Sequence, residues 1–219
     1  MGSPMGIFLL AIGLTYLYAF VSGFTDASNA IATSIGSRVL SPLAAVLLAG
    51  LFNLLGGLTG TAVALTIGKG IVRVEDITLY AVVAGLAGAM TWSLFTYLYG
   101  IPVSETHGLI GGVIGASIAT AGVESIKWSG LNKVLVAIIV SPLLGFTGGL
   151  VLISATMWIC QNARRATVEP VFFHLQRFSA MYMAFSHGRN DAQKPMGMLA
   201  MTLALYYGAK EVSVPTWVV

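Results

Sequence analysis

The sequence predicts an all-α integral membrane protein, arranged as an inverted repeat with broken helices and a polar hairpin loop. Three observations predict this fold. Hydrophobic residues make up 57% of the 219-residue chain and charged residues only 9%, glycines number 26, and polar stretches interrupt two long apolar runs. Soluble domains carry about 25% charged residues, and a chain with far fewer charges is better suited to a lipid environment. The mean hydropathy of +0.87 agrees with this.

The apolar runs are long enough to cross a bilayer. A transmembrane helix needs roughly 20 apolar residues to span a hydrocarbon core about 30 Å thick. The runs, separated by short polar connections, cover 5–24, 43–67, 77–100, 103–121, 133–160 and 172–207. Glycines spaced four apart, as in Gly56/Gly60 and Gly108/Gly112, are typical of helices that pack closely in lipid.

The net charge of +3 does not indicate a nucleic-acid partner, because the basic residues are scattered through the gaps between apolar runs. The single cysteine, Cys160, excludes an internal disulfide. We therefore expect a multi-pass protein of the cell membrane whose surroundings are the lipid bilayer. The sequence leaves a homo-oligomer open.

Two polar interruptions resemble each other. Residues 23–27 and 188–192 both follow the pattern Gly-x-(Thr/Asn)-Asp-Ala at the end of an apolar run. An odd number of apolar segments precedes the second copy, so it enters the membrane from the opposite side. That arrangement predicts an inverted repeat with its site between broken helices, a common transporter architecture. We expect residues 1–165 to form the first transmembrane repeat and residues 170–219 to begin a second, inverted and incomplete one.

Asp26 and Asp191, one in each interruption, are the candidate cation-binding residues. A carboxylate within a membrane is costly unless it is paired or hydrated, so both indicate a bound cation, Na⁺ if the protein couples to sodium. Neighbouring oxygen and amide groups that would complete the site are Thr25, Asn29, Asn190 and Gln193. The carboxylates could also cap the restarting helices, a role compatible with ion binding.

Two basic residues, Arg189 and Lys194, flank Asp191. Their charges could neutralise this carboxylate or attract an anion, and the sequence leaves both roles open.

A third polar stretch, residues 102–107, opens a glycine-rich helix. Proline suits the start of a helix, and the free backbone N–H groups there form an anion site. Ser104 and Thr106 would donate to the anion, and His107 would donate a hydrogen bond or relay a proton. Glu105 would repel the anion unless it is protonated or holds a cation. Ser104 could alternatively be an ordinary N-cap, and His107 a structural histidine.

At these three motifs the sequence resembles the inorganic phosphate transporter (PiT) family, which carries two copies of a Gly-x-Asn-Asp-x-Ala-Asn signature in inverted repeats. Residues 23–29 are similar to the first copy, with Thr25 in place of Asn. Residues 186–197 are similar to the second copy in its bacterial form, with Lys194 in place of the second Asn. Residues 102–107 resemble the Pro-x-Ser-x-x-His loop that contributes to phosphate binding in the family.

The resemblance implies symport of inorganic phosphate with Na⁺ or H⁺ and no further cofactor. It implies a phosphate-binding role for residues 104–107, that is Ser104, Glu105, Thr106 and His107. A lysine at a cation-site position, here Lys194, could substitute for one sodium ion.

Three alternatives remain at this point. A sulfate permease of the same family would use a similar site, but phosphate near neutral pH still carries a proton that it can donate to a carboxylate, which favours phosphate. An intramembrane aspartyl protease would need a glycine directly before its aspartate, whereas Thr25 and Asn190 stand there. Motifs of zinc proteases, nucleotide-binding loops and serine hydrolases do not occur, so we expect a transporter rather than an enzyme. A channel is the third alternative.

Overall fold

The computed structural model describes residues 4–209 and 211–219, apart from the side chains of Ala27 and Lys69. The described residues are mainly helical, as predicted, with one isolated antiparallel bridge between Val72 and Ile126. Its α-helices are α1 Pro4–Asp26, α2 Ala32–Gly36, α3 Pro42–Gly57, α4 Ala62–Lys69, α5 Leu79–Tyr99, α6 Glu105–Ala121, α7 Trp128–Cys160, α8 Arg165–Asp191 and α9 Gln193–Tyr207. Short 3₁₀ turns lie at Ala27–Ala30, Val74–Asp76, Val123–Ser125 and Thr216–Val218.

Among the residues that the structure describes, three helical segments are long and apolar enough to cross a membrane on their own. They are α1 with the turn that follows it, α5, and α7, of which no described residue is buried. Helices α3 and α4 are bent by 72° against each other and together qualify as a fourth, broken span. Multiple spans confirm the predicted membrane location.

The break between α3 and α4 is a feature that the sequence analysis missed. The run 43–67 contains no charged residue, and the spacing of Gly56 and Gly60 predicts only a packing pair. In the structure Gly60 has φ +156°, a conformation that favours glycine, and it turns the chain between the two helices. Gly56 does pack closely, against α8.

Apart from α7, the helices form two packed groups. Helix α1 packs against α5 and α9, α5 packs against α6, and α4 packs against α9. This group buries Tyr18, Leu86, Leu109, Met198 and Met201. Helices α3 and α8 pack against each other in the second group, together with the short α2 and the turn after α1. The ends of α1 and α8, where the two signature aspartates lie, are therefore brought to the boundary between the groups.

Two glycines make the contact between α3 and α8 close. A Cβ atom at Gly56 would collide with the carbonyl oxygen of Phe185, and one at Gly188 would collide with the backbone of Asn53. Small residues let helix backbones approach where lipid supplies no hydrophobic driving force between helices. This approach brings Asn53 on α3 within reach of His187 on α8.

We expect Gly188→Ala to destabilise the full-length protein, because the new methyl group has no room against Asn53. Overpacking of this kind costs about 1–3 kcal/mol. The matched control is Gly13→Ala in α1, where an added Cβ meets nothing within 4 Å. That change should be neutral or slightly stabilising, since alanine is the better helix former. Thermal unfolding in detergent checks this, and equal midpoints for the two variants would contradict the packing seen here.

Candidate functional site

Both polar interruptions lie at helix ends. Helix α1 ends at Asp26 and the chain continues through a 3₁₀ turn, whereas α8 ends at Asp191 and α9 begins at Gln193. The second interruption is therefore much shorter than the polar stretch 186–195 predicts. Within that stretch the Asn190 side chain donates to the Ser186 carbonyl and the Gln193 side chain to the Arg189 carbonyl, each four residues back.

His187 joins the two signature aspartates. Its Nε2 atom lies 3.4 Å from Oδ2 of Asp26 and 3.6 Å from Oδ2 of Asp191. One ligand atom from each of the three side chains lies within 4.8 Å of the others. The three side chains are 17–22% exposed. The structure thus brings the two predicted carboxylates together through a histidine to which the sequence analysis gave no role.

The aspartates do not act as helix caps. Asp26 precedes the 3₁₀ turn without a side-chain cap hydrogen bond, and the residue before α9 is Ala192, not Asp191. Asp26 accepts instead from the side-chain amide of Asn29 through Oδ1. Asn29, one of the residues predicted to complete the cation site, therefore contacts the Asp26 carboxylate.

Lys194 neutralises Asp191. Its Nζ atom lies 2.7 Å from Oδ2 of Asp191, and its side chain is only 3% exposed. An ammonium group buried to this extent is stable only when it is paired. Of the two flanking basic residues, Lys194 is thus the partner of the carboxylate. Arg189 is exposed and forms no ion pair with any other part of the chain that the structure describes.

Gln193 connects the second interruption to the break between α3 and α4. Its Oε1 accepts from the backbone N–H of Val63 at 2.7 Å and of Ala64 at 3.3 Å, in the first turn of α4. These N–H groups have no partner within their own helix. The Gln193 oxygen thus stabilises the start of α4. We expected it to complete the cation site beside the carboxylates, and that expectation is wrong.

Thr25 and Glu105 form a second connection, between α1 and α6. The Thr25 hydroxyl lies 2.8 Å from Oε1 of Glu105, and the Ser93 hydroxyl donates to the same oxygen at 2.6 Å. The hydroxyl of Tyr18 donates to the Glu105 backbone carbonyl. Glu105 is 6% exposed. Glu105 therefore faces α1 and α5, and Thr25 lies against Glu105.

The start of α6 lines a cavity of about 490 Å³. Ser104 is the N-cap of this helix and accepts from the backbone N–H of His107. The side chains of Ser104 and His107 both line the cavity, together with Trp92 and glycines of α6. Thr106 is half-buried in the same helical turn. Ser104 therefore fits both roles that the sequence left open, because it caps the helix and also lines the cavity.

A larger cavity of about 720 Å³ lies beside the signature aspartates and is lined by Asn53, His187 and Asp191 among many apolar residues. No described residue lines both this cavity and the one at the start of α6. The hydrogen bond between Thr25 and Glu105 links the residue before Asp26 to the residue after Ser104. The candidate cation-binding and anion-binding residues therefore lie in two separate places, and the hydrogen bond between Thr25 and Glu105 joins the helices that carry them.

Charged side chains at paired helix interruptions, within an all-α membrane fold, are typical of ion-coupled membrane transporters. Residues 22–219 match the sequence profile of the phosphate transporter family, and the chain belongs to this family. Membership in a family of transporters confirms the predicted class and excludes the protease alternative.

The chain is similar to several proteins described as probable low-affinity inorganic phosphate transporters. It is 41% identical to that of Rhizobium meliloti, with 99% of this chain and 65% of the relative aligned. It is 38% identical to that of Bacillus subtilis, with 96% and 64% aligned. For that of Streptomyces halstedii the identity is 39%, over 83% of this chain and 85% of the relative. The chain thus spans just under two thirds of the length of the first two relatives.

Among solved structures, the chain is similar to one described as the sodium-dependent phosphate transporter. The TM-score is 0.80 at 25% sequence identity, over 97% of this chain and 72% of the other. The predicted fold class is thereby confirmed.

Proposed function

We propose that the full-length protein moves inorganic phosphate across the membrane by cation symport. In this proposal residues 1–165 form the first repeat and residues 170–219 begin a second, inverted one. The observation that carries the proposal is the convergence of Asp26 and Asp191, one from each repeat, on His187. Two carboxylates this close within a membrane need compensating cations.

Sodium is the coupling ion that the Asp26 end suits best. Carboxylate, amide and backbone carbonyl oxygens are the ligands of hard cations. Asp26 and Asn29 offer the first two, and the 3₁₀ turn after α1 offers carbonyl oxygens outside a regular α-helix. The solved relative described as sodium-dependent supports the same choice over protons.

Lys194 already supplies a positive charge to Asp191. We propose that this tethered ammonium takes the place of one transported cation. Asp26 would then be the carboxylate that binds sodium, while Asp191 would remain neutralised throughout the cycle.

Phosphate would bind at the start of α6. The first-turn N–H groups and the positive end of the helix dipole attract anions. Ser104 and His107 line the adjacent cavity and would donate to the phosphate oxygens, with Thr106 as a third donor in the same turn. Glu105 would have a different role, because it holds Thr25 and so ties the cation-binding end of α1 to the phosphate-binding end of α6.

Sulfate remains the competing cargo. Phosphate differs from sulfate by a proton that it can donate to a carboxylate. The Glu105 side chain is directed at Thr25 and Ser93, so it does not supply that acceptor in this conformation. Phosphate is therefore favoured here by the family and by the relatives rather than by Glu105.

Radiolabelled phosphate uptake into proteoliposomes that contain the full-length protein tests this function. Uptake should be saturable, should follow an imposed sodium gradient more than a proton gradient, and should resist excess sulfate. Absence of saturable uptake under both gradients would overturn the phosphate assignment. Strong sulfate competition would favour the sulfate permease, and uptake that does not saturate would favour a channel.

We expect Ser104→Asp to raise the KM for phosphate by tenfold or more. Aspartate caps a helix about as well as serine, so stability should be retained. Its negative charge, however, would repel the anion and replace a donor by an acceptor. One lost hydrogen bond to a charged group corresponds to about 1.5–3 kcal/mol, or roughly a factor of ten or more.

The matched control is Ser41→Asp. Ser41 is the N-cap of α3 and accepts from the Ala44 N–H in the way that Ser104 accepts from His107. Uptake kinetics of this variant should equal those of the parent. A similar KM in both variants would place phosphate elsewhere than at the start of α6.

A further inference from the structure

We propose that Asp26, His187 and Asp191 also bind a divalent transition-metal ion of the Zn²⁺ type, which competes with the coupling ion. The argument that a metal binds uses only the geometry of these side chains and their neighbours. Only its effect on uptake rests on the proposed transport function.

The hydrogen bonds of Asn53 determine which ring nitrogen of His187 is free. The Asn53 amide nitrogen donates to the Ala49 carbonyl at 2.7 Å, which orients the amide and leaves Oδ1 facing His187. Nδ1 of His187 lies 2.7 Å from this Oδ1. Because an amide oxygen only accepts, Nδ1 must carry the hydrogen. In the neutral ring the lone pair is therefore on Nε2, the atom that faces both aspartates.

This arrangement is the one found around histidines that bind metals. A metal-bound histidine almost always donates its other ring N–H to an oxygen acceptor, which holds the ring and its tautomer in place. Asn53 supplies that acceptor from α3, and the close contact at Gly56 and Gly188 holds α3 against α8.

The distances suit a small divalent ion. Zinc binds histidine nitrogen and carboxylate oxygen at about 2.0–2.2 Å in a tetrahedron, which places neighbouring ligand atoms about 3.3–3.6 Å apart. Nε2 lies 3.4 Å and 3.6 Å from the two carboxylate oxygens. A direct charged hydrogen bond would be shorter, about 2.7–2.9 Å. Both nitrogen–oxygen distances thus match those between ligands of one ion, and all three atoms lie within 4.8 Å of one another.

The ligand set separates this ion from sodium. Imidazole nitrogen suits zinc, copper and nickel, whereas sites for hard cations consist of oxygen atoms. His187 and Asp191 line the larger cavity, so a fourth position is accessible to water from that side. Lys194 already donates to Oδ2 of Asp191, and its positive charge should weaken metal binding without occupying Nε2.

Zinc affinity of the untagged full-length protein tests the proposal, measured in metal-free detergent buffer by competition with a zinc indicator. His187→Asn keeps an N–H donor for Asn53 but removes Nε2, and should weaken zinc binding at least tenfold. His174→Asn, an exposed histidine on the same helix, is the matched control and should leave the affinity unchanged. X-ray absorption of the bound zinc should show the multiple scattering of one imidazole ring in the parent and none in His187→Asn.

An equal zinc affinity in the parent and in His187→Asn would overturn the metal site, whatever the transport result. In proteoliposomes, zinc should inhibit phosphate uptake and added sodium should relieve the inhibition. If zinc binds through His187 but no phosphate uptake occurs, the metal site stands and the transport function fails. If uptake is saturable and zinc binding ignores His187, the metal site fails and the transport function stands.

Discussion

We expect Asp26→Asn to abolish the proposed sodium-driven phosphate uptake while the protein still folds. Asparagine has the shape of aspartate and can still accept from Asn29, so the turn after α1 should be retained. The negative charge that would bind the cation is lost, however, and no carboxylate faces His187 from this position. Removing one partner from a buried charged site costs about 3–5 kcal/mol, which corresponds to a loss of a hundredfold or more in sodium affinity.

Asp76→Asn is the matched control for this charge removal. Asp76 is an exposed carboxylate in the turn Val74–Asp76, outside the helices that form the site. Initial uptake rates at saturating phosphate, measured as a function of sodium, should be unchanged in this variant. Retained sodium dependence in Asp26→Asn would show that the coupling ion binds elsewhere.

Lys194→Met should have the second large effect, on stability and on sodium dependence together. The change leaves Asp191 without the ammonium that neutralises it. An unpaired carboxylate in this position costs on the order of 3 kcal/mol, which lowers the unfolding midpoint by roughly 5 °C or more. Sodium can occupy the vacated position, so added sodium should raise the midpoint more in the variant than in the parent.

The double variant Lys194→Met/Asp191→Asn separates charge from packing. It removes both members of the pair, so it should recover much of the lost stability and lose the additional sodium stabilisation. Thermal unfolding in detergent, with sodium compared with an organic cation, measures both effects. If Lys194→Met is as stable as the parent and responds equally to sodium, Lys194 does not substitute for a transported ion.

Much of this architecture could be predicted from the sequence because lipid leaves a strong composition signal. Long apolar runs identify the spans, and a charged residue within such a run is conspicuous. Asp26 and Asp191 are predictable for that reason, and their matching surroundings indicate that they belong to one site. The family resemblance gave the phosphate loop around Ser104 its expected role.

The partners of these residues could not be predicted, since they depend on which helix faces touch. His187 lies in the second signature, but its role depends on Asn53, 134 positions away in the chain. Thr25 and Glu105 both carry polar groups that could bind a ligand, but in the folded protein they bind each other. The sequence gives no sign of this contact. Asn53 lies in an apolar run where a single amide gives no signal of its own. The close packing at Gly188, which makes the contact with α3 possible, could not be predicted from the sequence either.

The most direct test of coupling between the two sites is sodium accumulation driven by phosphate. Proteoliposomes with the full-length protein would start with equal sodium inside and outside and with phosphate only outside, with ²²Na⁺ as tracer. We predict that sodium accumulates transiently above its external concentration in the parent and does not in Asp26→Asn. If phosphate enters the parent vesicles with no accompanying rise in sodium, the cation at Asp26 is not coupled to the phosphate at α6.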